Sequence, residues 1–303
     1  MDFKYKSLGF LLKAVGKIPF GVLYGVSDVL YPLLYHVVGY RRKVVHKNIT
    51  ESFPEKTKEE IKRIEKDFYH NFIDNIMETI KMGSMSDEEI SRRMKFTNIS
   101  EVNEVLRGGR SIALFLGHYF NWEWISSMPI HLYKGAVAAQ IYHKLSDPAV
   151  DRLMLEARAS HGAVNVEMRQ TARFVTHKAA EKRVCIIGFI ADQSPRRKAI
   201  DLYLPFLNHT TPVQTATEKI ARHYDYEGWF VDIRKVKRGY YEVEYIRMSD
   251  DPKSLPENRL TEIYYQMLEK MIRRAPALYL WTHRRFKYAK ENNIQETSES
   301  SKS

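Results

Sequence analysis

Residues 111–123 read Ser-Ile-Ala-Leu-Phe-Leu-Gly-His-Tyr-Phe-Asn-Trp-Glu. The first seven form a short unbroken apolar run, which is typical of a strand buried on both faces of a sheet. Val184 to Ile190 is a second such run, and Ala136 to Tyr142 is a weaker one. Two alternating segments, Trp229 to Val236 and Tyr240 to Arg247, predict a hairpin.

Helices are predicted around and between these strands. Thr57 to Glu60 is a capping-box sequence before apolar residues spaced three and four apart, and Thr211 to Gln214 also predicts a helix start. Further helices are expected from Asn121 to Met128, from Asp147-Pro148 onward, and from Pro256 to Arg274. We therefore expect an α/β fold with a mainly parallel central sheet, an antiparallel edge and flanking helices.

The N-terminal stretch from Ile18 to Tyr40 carries one acidic residue, Asp28, and no Lys or Arg. A helix of that length would reach across the ~30 Å hydrocarbon layer of a bilayer. Its prolines and glycines argue against one straight spanning helix, and basic residues flank both ends. We interpret it as a membrane-associated helical segment that spans the bilayer or enters one leaflet; a buried helical hairpin is the alternative. The predicted domains are an anchor (1–40), a catalytic domain (41–290) and a disordered polar tail (291–303).

Composition narrows the classes of partner. The 303 residues contain 48 Lys and Arg against 37 Asp and Glu, a formal charge of +11, which favours an anionic partner. The abundant tyrosines near the apolar stretch favour a membrane over nucleic acid. A single cysteine, Cys185, excludes an internal disulfide and a multi-cysteine metal site, and its aliphatic neighbours predict an inert core thiol. No cofactor or metal is expected.

The principal catalytic candidates are His118 and Glu123. His118 follows a buried strand, where ligands bind in open α/β sheets. If Glu123 reached back from the next helix to one imidazole nitrogen, the other nitrogen could act as a general base. A loop histidine satisfied by a nearby acid is the structural alternative.

Supporting candidates lie on the neighbouring segments. Asp192 and Gln193 follow the second buried strand, so in a parallel sheet they would lie at the same edge as His118. Asn121 and Arg152 are further candidates for substrate binding or support.

The segment Gly109 to Trp124 resembles the first block of the bacterial lipid A biosynthesis (late) acyltransferases, whose hallmark is a histidine, four residues, then glutamate. The resemblance covers most of the chain. Further similar blocks follow or precede it in the same order: Tyr40 to Val45, Asp147 to Met154, Ala191 to Pro195 and Trp281 to Lys287.

This resemblance implies transfer of a fatty acyl chain to a hydroxyl of a lipid A precursor, at the cytoplasmic face of the inner membrane. His118 would be the base and Glu123 its partner, with Arg152 and Asp192 contributing. The donor would be acyl-carrier protein, with acyl-coenzyme A as the alternative. Apart from the resemblance, the charge of Arg196, Arg197 and Lys198 predicts a docking site for an acidic carrier protein there.

Three alternatives stay open at this point. Tyr142-His143-Lys144 stands where the family more often has Tyr-Arg, which puts the acceptor in doubt. An acyltransferase acting on an amino-acid lipid or lysophospholipid is therefore the first alternative. A non-catalytic membrane-binding protein is the second. Nucleic-acid binding is a third, weak one, since the basic residues are dispersed.

Overall fold

A computed structural model describes residues 2–290, so the predicted tail at 291–303 lies outside the described residues. The described residues form nine strands: β1 (Met94–Phe96), β2 (Ile112–Leu116), β3 (Val137–Tyr142), β4 (Val164–Glu167), β5 (Cys185–Ile190), β6 (Leu202–Phe206), β7 (His209–Val213), β8 (Glu227–Lys237) and β9 (Tyr240–Ser249). Seven of them make one sheet in the order β1-β9-β8-β2-β5-β3-β4, and β6 and β7 form a separate antiparallel pair.

The predicted α/β class is confirmed. All neighbours in the large sheet are parallel except β8 and β9, the predicted hairpin, and short β1 lies outside that pair. The three predicted core strands correspond to β2, β3 and β5. The helix start predicted at Thr211 to Gln214 is wrong. Residues up to Val213 belong to β7, where pairing with β6 outweighs the local capping pattern.

Within residues 2–290, ten α-helices accompany the strands: α1 (Asp2–Gly16), α2 (Phe20–Pro32), α3 (Arg42–Ser52), α4 (Lys58–Met82), α5 (Asp87–Arg93), α6 (Ile99–Arg107), α7 (Pro148–Ala159), α8 (Thr171–Ala180), α9 (Ala216–Tyr224) and α10 (Arg259–Arg274). A π-helical segment, Leu33–Val38, continues α2, and a 3₁₀-helix, Trp122–His131, stands where an α-helix was predicted. Shorter 3₁₀ turns occupy Met168–Gln170, Arg197–Ala199 and Pro276–Leu278.

Helix α4 begins at the predicted capping box. The Thr57 hydroxyl accepts from the Glu60 backbone N–H, and the Glu60 carboxylate accepts from the Thr57 N–H. Pairs of this kind satisfy N–H groups that lack partners inside the helix. The helix is therefore well defined at its start, and it supports the N-terminal segment along its length.

The N-terminal helices are not enclosed in the core. Within the described residues, Phe20–Val38 is the one helix long and apolar enough to cross a membrane, judged by length and composition. Only 17% of that window is buried. The structure therefore does not place this segment as a fully buried helical hairpin.

Candidate active site

Strands β2 and β5 bring two polar side chains together at their carboxyl ends. The strands are parallel, and Leu116 pairs with Ile190. His118 and Asp192 each follow two residues later, so they emerge side by side. The distance from His118 Nδ1 to Asp192 Oδ1 is 2.7 Å. Since ligands bind beyond the carboxyl ends of strands in open sheets, this pair marks the candidate site.

The loop that carries His118 is fixed by the C-terminal segment and by α10. The Leu280 N–H donates to the His118 carbonyl, and the Tyr264 hydroxyl donates to the carbonyl of Leu116. Gly117 has no space for a side chain, because a Cβ there would lie 2.6 Å from Leu268 Cδ1. These contacts hold the imidazole at one position relative to the sheet.

Electrostatics around the pair favour an ionised Asp192. The side chain is buried, which by itself raises the pKa of the carboxyl; the charge and hydrogen bond of His118 and a hydrogen bond from Tyr279 outweigh burial and lower that pKa. A carboxylate only accepts hydrogen bonds, so Nδ1 of His118 carries the proton. Nε2 is then free to accept a proton, and it lies 3.3 Å from the side-chain nitrogen of Gln193.

The predicted contact between Glu123 and His118 is wrong. Glu123 accepts two hydrogen bonds from the Arg158 guanidinium, at 2.7 and 2.6 Å, and one from Trp122 Nε1 at 3.2 Å. The chain after His118 forms a 3₁₀-helix that directs the Glu123 carboxylate toward α7. The carboxylate that pairs with the imidazole is that of Asp192. Trp122 still links the two groups, because its ring lies edge-on to His118 with centroids 5.2 Å apart.

The arginine of α7 that contacts Glu123 is Arg158 and not Arg152, the arginine singled out from the sequence. Arg152 is exposed; it pairs with Glu156 in the next turn and lies over the Tyr5 ring. Arg158 lies two helical turns beyond Asp151, a buried residue of α7, and so shares its inward face. Burial opposes the charge of Arg158, but its bonds with Glu123 prevail and raise its pKa. The signal available in the sequence was the separation of seven residues between Asp151 and Arg158, which places both side chains on one face of a helix.

Asn121 positions the loop after His118 through two hydrogen bonds. Its side chain caps the 3₁₀-helix by accepting from the Trp124 N–H at 3.4 Å, and it donates to Glu78 of α4 at 3.0 Å. Asn121 is fully buried, and its two hydrogen bonds position the loop. Its part in substrate binding stays a prediction.

His283 was not singled out from the sequence and lies close to the pair. The Ser194 N–H, two residues beyond Asp192, donates to its Nε2 at 3.4 Å. Burial lowers the pKa of His283 to about 4, with Asp192 opposing that shift and His118 adding to it. The imidazole is therefore neutral near pH 7. The sequence did offer a signal, since His283 is a titratable side chain, but the basic residues next to it favoured a reading of the whole run as surface charge.

Arg285 lies in a basic run, Arg284 to Lys287, but it is not a surface cation. Its side chain is buried, with Nη1 donating to Thr211 Oγ1 and the Pro212 carbonyl. The guanidinium points inward because its hydrogen-bond acceptors, a hydroxyl and a carbonyl of β7, are buried.

The remaining candidates divide into an exposed group and a buried one. Arg196, Arg197 and Lys198 are exposed on the loop that continues from Asp192. Cys185 is buried in β5, and burial raises the pKa of its thiol to about 11. In residues 2–290, no group of three or more His, Cys, Asp or Glu side chains is arranged to hold a metal ion.

Comparison with known proteins gives a family match over nearly the whole chain. Residues 5–288 match the family described as bacterial lipid A biosynthesis acyltransferase. A lipid A biosynthesis lauroyltransferase from Escherichia coli (strain K12) is 23% identical over 285 residues, which cover 91% of this chain and 89% of that protein. The resemblance inferred from Gly109 to Trp124 is thus confirmed.

Proposed function

Because the chain belongs to the bacterial lipid A biosynthesis acyltransferase family, we propose that it moves a fatty acyl chain from an acyl thioester to a hydroxyl of a lipid A precursor. The observation that supports this most is the pair formed by His118 and buried Asp192, 2.7 Å apart at the carboxyl ends of two parallel strands. In such a pair the second imidazole nitrogen can act as a base at the carboxyl edge of the sheet.

The reaction is direct transfer. Nε2 of His118 removes the proton of the acceptor hydroxyl, and the oxygen attacks the thioester carbonyl. The carbon–sulfur bond then breaks, the ester remains on the lipid, and His118 returns the proton to the leaving thiolate. Asp192 holds Nδ1–H and stabilises the imidazolium that forms. Gln193, which faces Nε2, is displaced by the hydroxyl. Cys185 takes no part, since its thiol is buried.

Glu123 acts as a positioning residue in this scheme. Its carboxylate fixes Arg158 through two hydrogen bonds and Trp122 through a third. The bonds to Glu123 use Nε and one terminal nitrogen of Arg158, which leaves the other terminal nitrogen for the oxyanion or for a lipid phosphate. An oxyanion donor of this kind is often worth ~3 kcal/mol.

Acyl-carrier protein is the proposed donor. Carrier proteins of fatty acid synthesis are acidic, and the exposed Arg196, Arg197 and Lys198 continue directly from the loop that carries Asp192. Opposite charges steer association and would bring the thioester to the site. Acyl-coenzyme A is the alternative donor.

We assign the enzyme to the cytoplasmic face of the inner membrane, with residues 1–40 as the anchor and 41–290 as the catalytic domain. The support is the exposed apolar helix Phe20–Val38 and the lipid chemistry of the family. Acyl-carrier protein resides in the cytoplasm, so the donor and this location agree.

Mass spectrometry of total lipids from cells with and without this protein tests the proposed function. We expect lipid A to lose the mass of one acyl unit when the protein is absent and to regain it with the wild-type chain. If lipid A is unchanged and another membrane lipid loses an acyl unit, the acceptor is wrong. If no lipid changes, the enzymatic proposal fails for this cell.

A further inference from the structure

Helix α2 and the π-helical segment pack along α4 over their whole length. Later residues of the N-terminal segment contact earlier residues of α4. The four contacts are Ile18 with Lys81, Tyr24 with Glu78, Ser27 with Asp74, and Tyr35 with Tyr69. The two helices are therefore antiparallel and in continuous contact. The N-terminal segment is part of the folded body, and its axis follows that of α4.

A charged network joins the middle of this segment to the β8–β9 turn. Arg238 of the turn donates to Asp28 at 2.7 Å and to Asp74 at 2.6 Å, and His70 lies 2.7 Å from Asp28. Asp28 is near the midpoint of Phe20–Val38. Any position of the segment in a membrane must account for these charges and for the non-helical backbone of the turn.

The side of the segment that faces away from α4 is apolar. Five aliphatic side chains, spaced four, three, four and four apart, are 43–74% exposed: Val22, Val26, Val29, Leu33 and Val37. We name these five the apolar stripe. Helix α1 separately exposes Phe3 and Phe10, which are 85% and 77% exposed. An exposed apolar stripe of this length marks an interaction surface.

Exposed cations flank the apolar segment on both sides along the chain. They lie on α1, in the link to α2 and just after the π-helical segment: Lys4, Lys6, Lys13, Lys17, Arg41 and Lys43. An apolar helix face bordered by Lys and Arg is typical of helices that lie in the plane of an anionic bilayer surface.

A row of aromatic rings leads from the end of this face to the candidate active site. Successive ring centroids are 5.2–6.5 Å apart along Tyr40, Phe72, Phe120, Trp122 and His118. The exposed apolar face and His118 are thus connected through packed aromatic side chains.

We propose that α1, α2 and the π-helical segment lie flat in one leaflet, with the apolar stripe in the acyl region and both ends of the segment on the same side of the bilayer. This deepens the membrane location proposed above. A spanning helix would place Asp28, its partners and the Arg238 turn in the hydrocarbon, where irregular backbone in contact with lipid is not found. If instead the helix left α4 to span, the hydrogen bonds of Tyr24, Ser27 and Asp28 would be lost.

Depth measurements with site-specific labels test the orientation. Replacing the one native cysteine, Cys185→Ala, gives a background in which single cysteines at Val22, Val29 and Val37 can carry a fluorophore, and quenchers at known depths in phosphatidylglycerol-containing vesicles report its position. We expect all three labels at the same shallow depth, ~5–10 Å below the headgroups. Cysteines at Lys17 and Lys43 should react with an impermeant thiol reagent from the same side. A label on Val29 at the bilayer centre, with Lys17 and Lys43 on opposite sides, would overturn the proposal.

A charge in the stripe tests the occupant of this face. Val29→Glu should reduce partitioning onto the vesicles by ~tenfold or more, since it removes an apolar group from the leaflet and adds a charge. Val164→Glu, at an exposed valine of edge strand β4, is the matched control and should change partitioning less than twofold. Unchanged melting temperatures would show that both variants fold. If Val29→Glu converts a dimer into a monomer without affecting vesicle binding, the face binds a second copy and the proposal is wrong. Neither readout requires catalysis, so failure of the proposed function would leave this test intact.

Discussion

Replacing Asp192 by Asn probes the origin of the basicity of His118. The substitution keeps the size of a fully buried side chain but removes its charge. Asn can also donate to Nδ1, which would move the imidazole proton to Nε2 and prevent it from accepting the acceptor hydroxyl proton. Both effects act against the imidazolium that forms during transfer.

The expected loss follows from the geometry of the pair. With Nδ1 and Oδ1 2.7 Å apart, the two charges are centred about 4 Å from each other. At an effective dielectric constant of about 20, their attraction is about 4 kcal/mol, which corresponds to about 10³-fold in rate. We therefore expect kcat/KM for Asp192→Asn to fall by about 10³, with the fold retained.

Steady-state assays with purified protein, acyl-carrier-protein thioester and a lipid A precursor would measure this loss. Glu227→Gln is the matched control, because Glu227 is also buried, is paired with Arg247, and lies beside Ile112 at the start of β2, at the end of the strand opposite to His118. It should lower stability and leave kcat/KM within about twofold. If Asp192→Asn stays folded and keeps activity within tenfold of wild type, Asp192 does not organise the base. A larger loss for Glu123→Gln would then restore Glu123 to that role.

Three further predictions concern the surroundings of the site. Arg158→Ala should cost about 3–5 kcal/mol in urea unfolding because it leaves a buried carboxylate unpaired, and Glu123→Ala/Arg158→Ala should cost clearly less than the sum of the single changes; strict additivity would show that the pair is not coupled. His283 has a folded-state pKa of about 4 against about 6.5 in the unfolded chain, so between these values the unfolded state binds one more proton and the unfolding free energy falls as pH falls. Equilibrium unfolding across this range should show His283→Gln reducing that slope by about 1.4 kcal/mol per pH unit; an unchanged slope would place the proton elsewhere. Reversing the charges of residues 196–198 to Glu should raise KM for acyl-carrier protein at low salt, whereas reversal of three exposed cations that precede β2 and β5, at the opposite edge of the sheet, should not: Arg107, Lys182 and Arg183. Equal effects of the two triple reversals, or a preference for acyl-coenzyme A at equal chain length, would exclude this docking surface.

The edge of the sheet that carries His118 and Asp192 could be predicted from the sequence because it depends on strand direction. Two unbroken apolar runs predicted buried strands of a parallel sheet, and the carboxyl ends of such strands share one edge. The sequence did not predict that these strands are neighbours; the pairing of Leu116 with Ile190 places His118 and Asp192 side by side.

The partner of each side chain could not be predicted in the same way. Glu123 turns toward Arg158 because the segment after His118 is a 3₁₀-helix, and the rotation of α7 selects Arg158 over Arg152. These orientations arise from packing between elements distant in sequence. The same limit applies to Arg285, which looks like a surface cation in its basic run but is buried among acceptors and aromatic rings.

The central claim is that His118 is the base for acyl transfer to lipid A, and one measurement tests it most directly. Purified wild-type protein and His118→Ala would be incubated with an acyl-carrier-protein thioester and a lipid A precursor. The mass and the rate of formation of the lipid product would be measured by mass spectrometry. We expect wild type to add one acyl unit to the precursor. His118→Ala should be folded and slower by at least about 10²–10⁴-fold, the usual contribution of general-base assistance. A folded His118→Ala protein that transfers at a rate close to that of wild type would contradict the account.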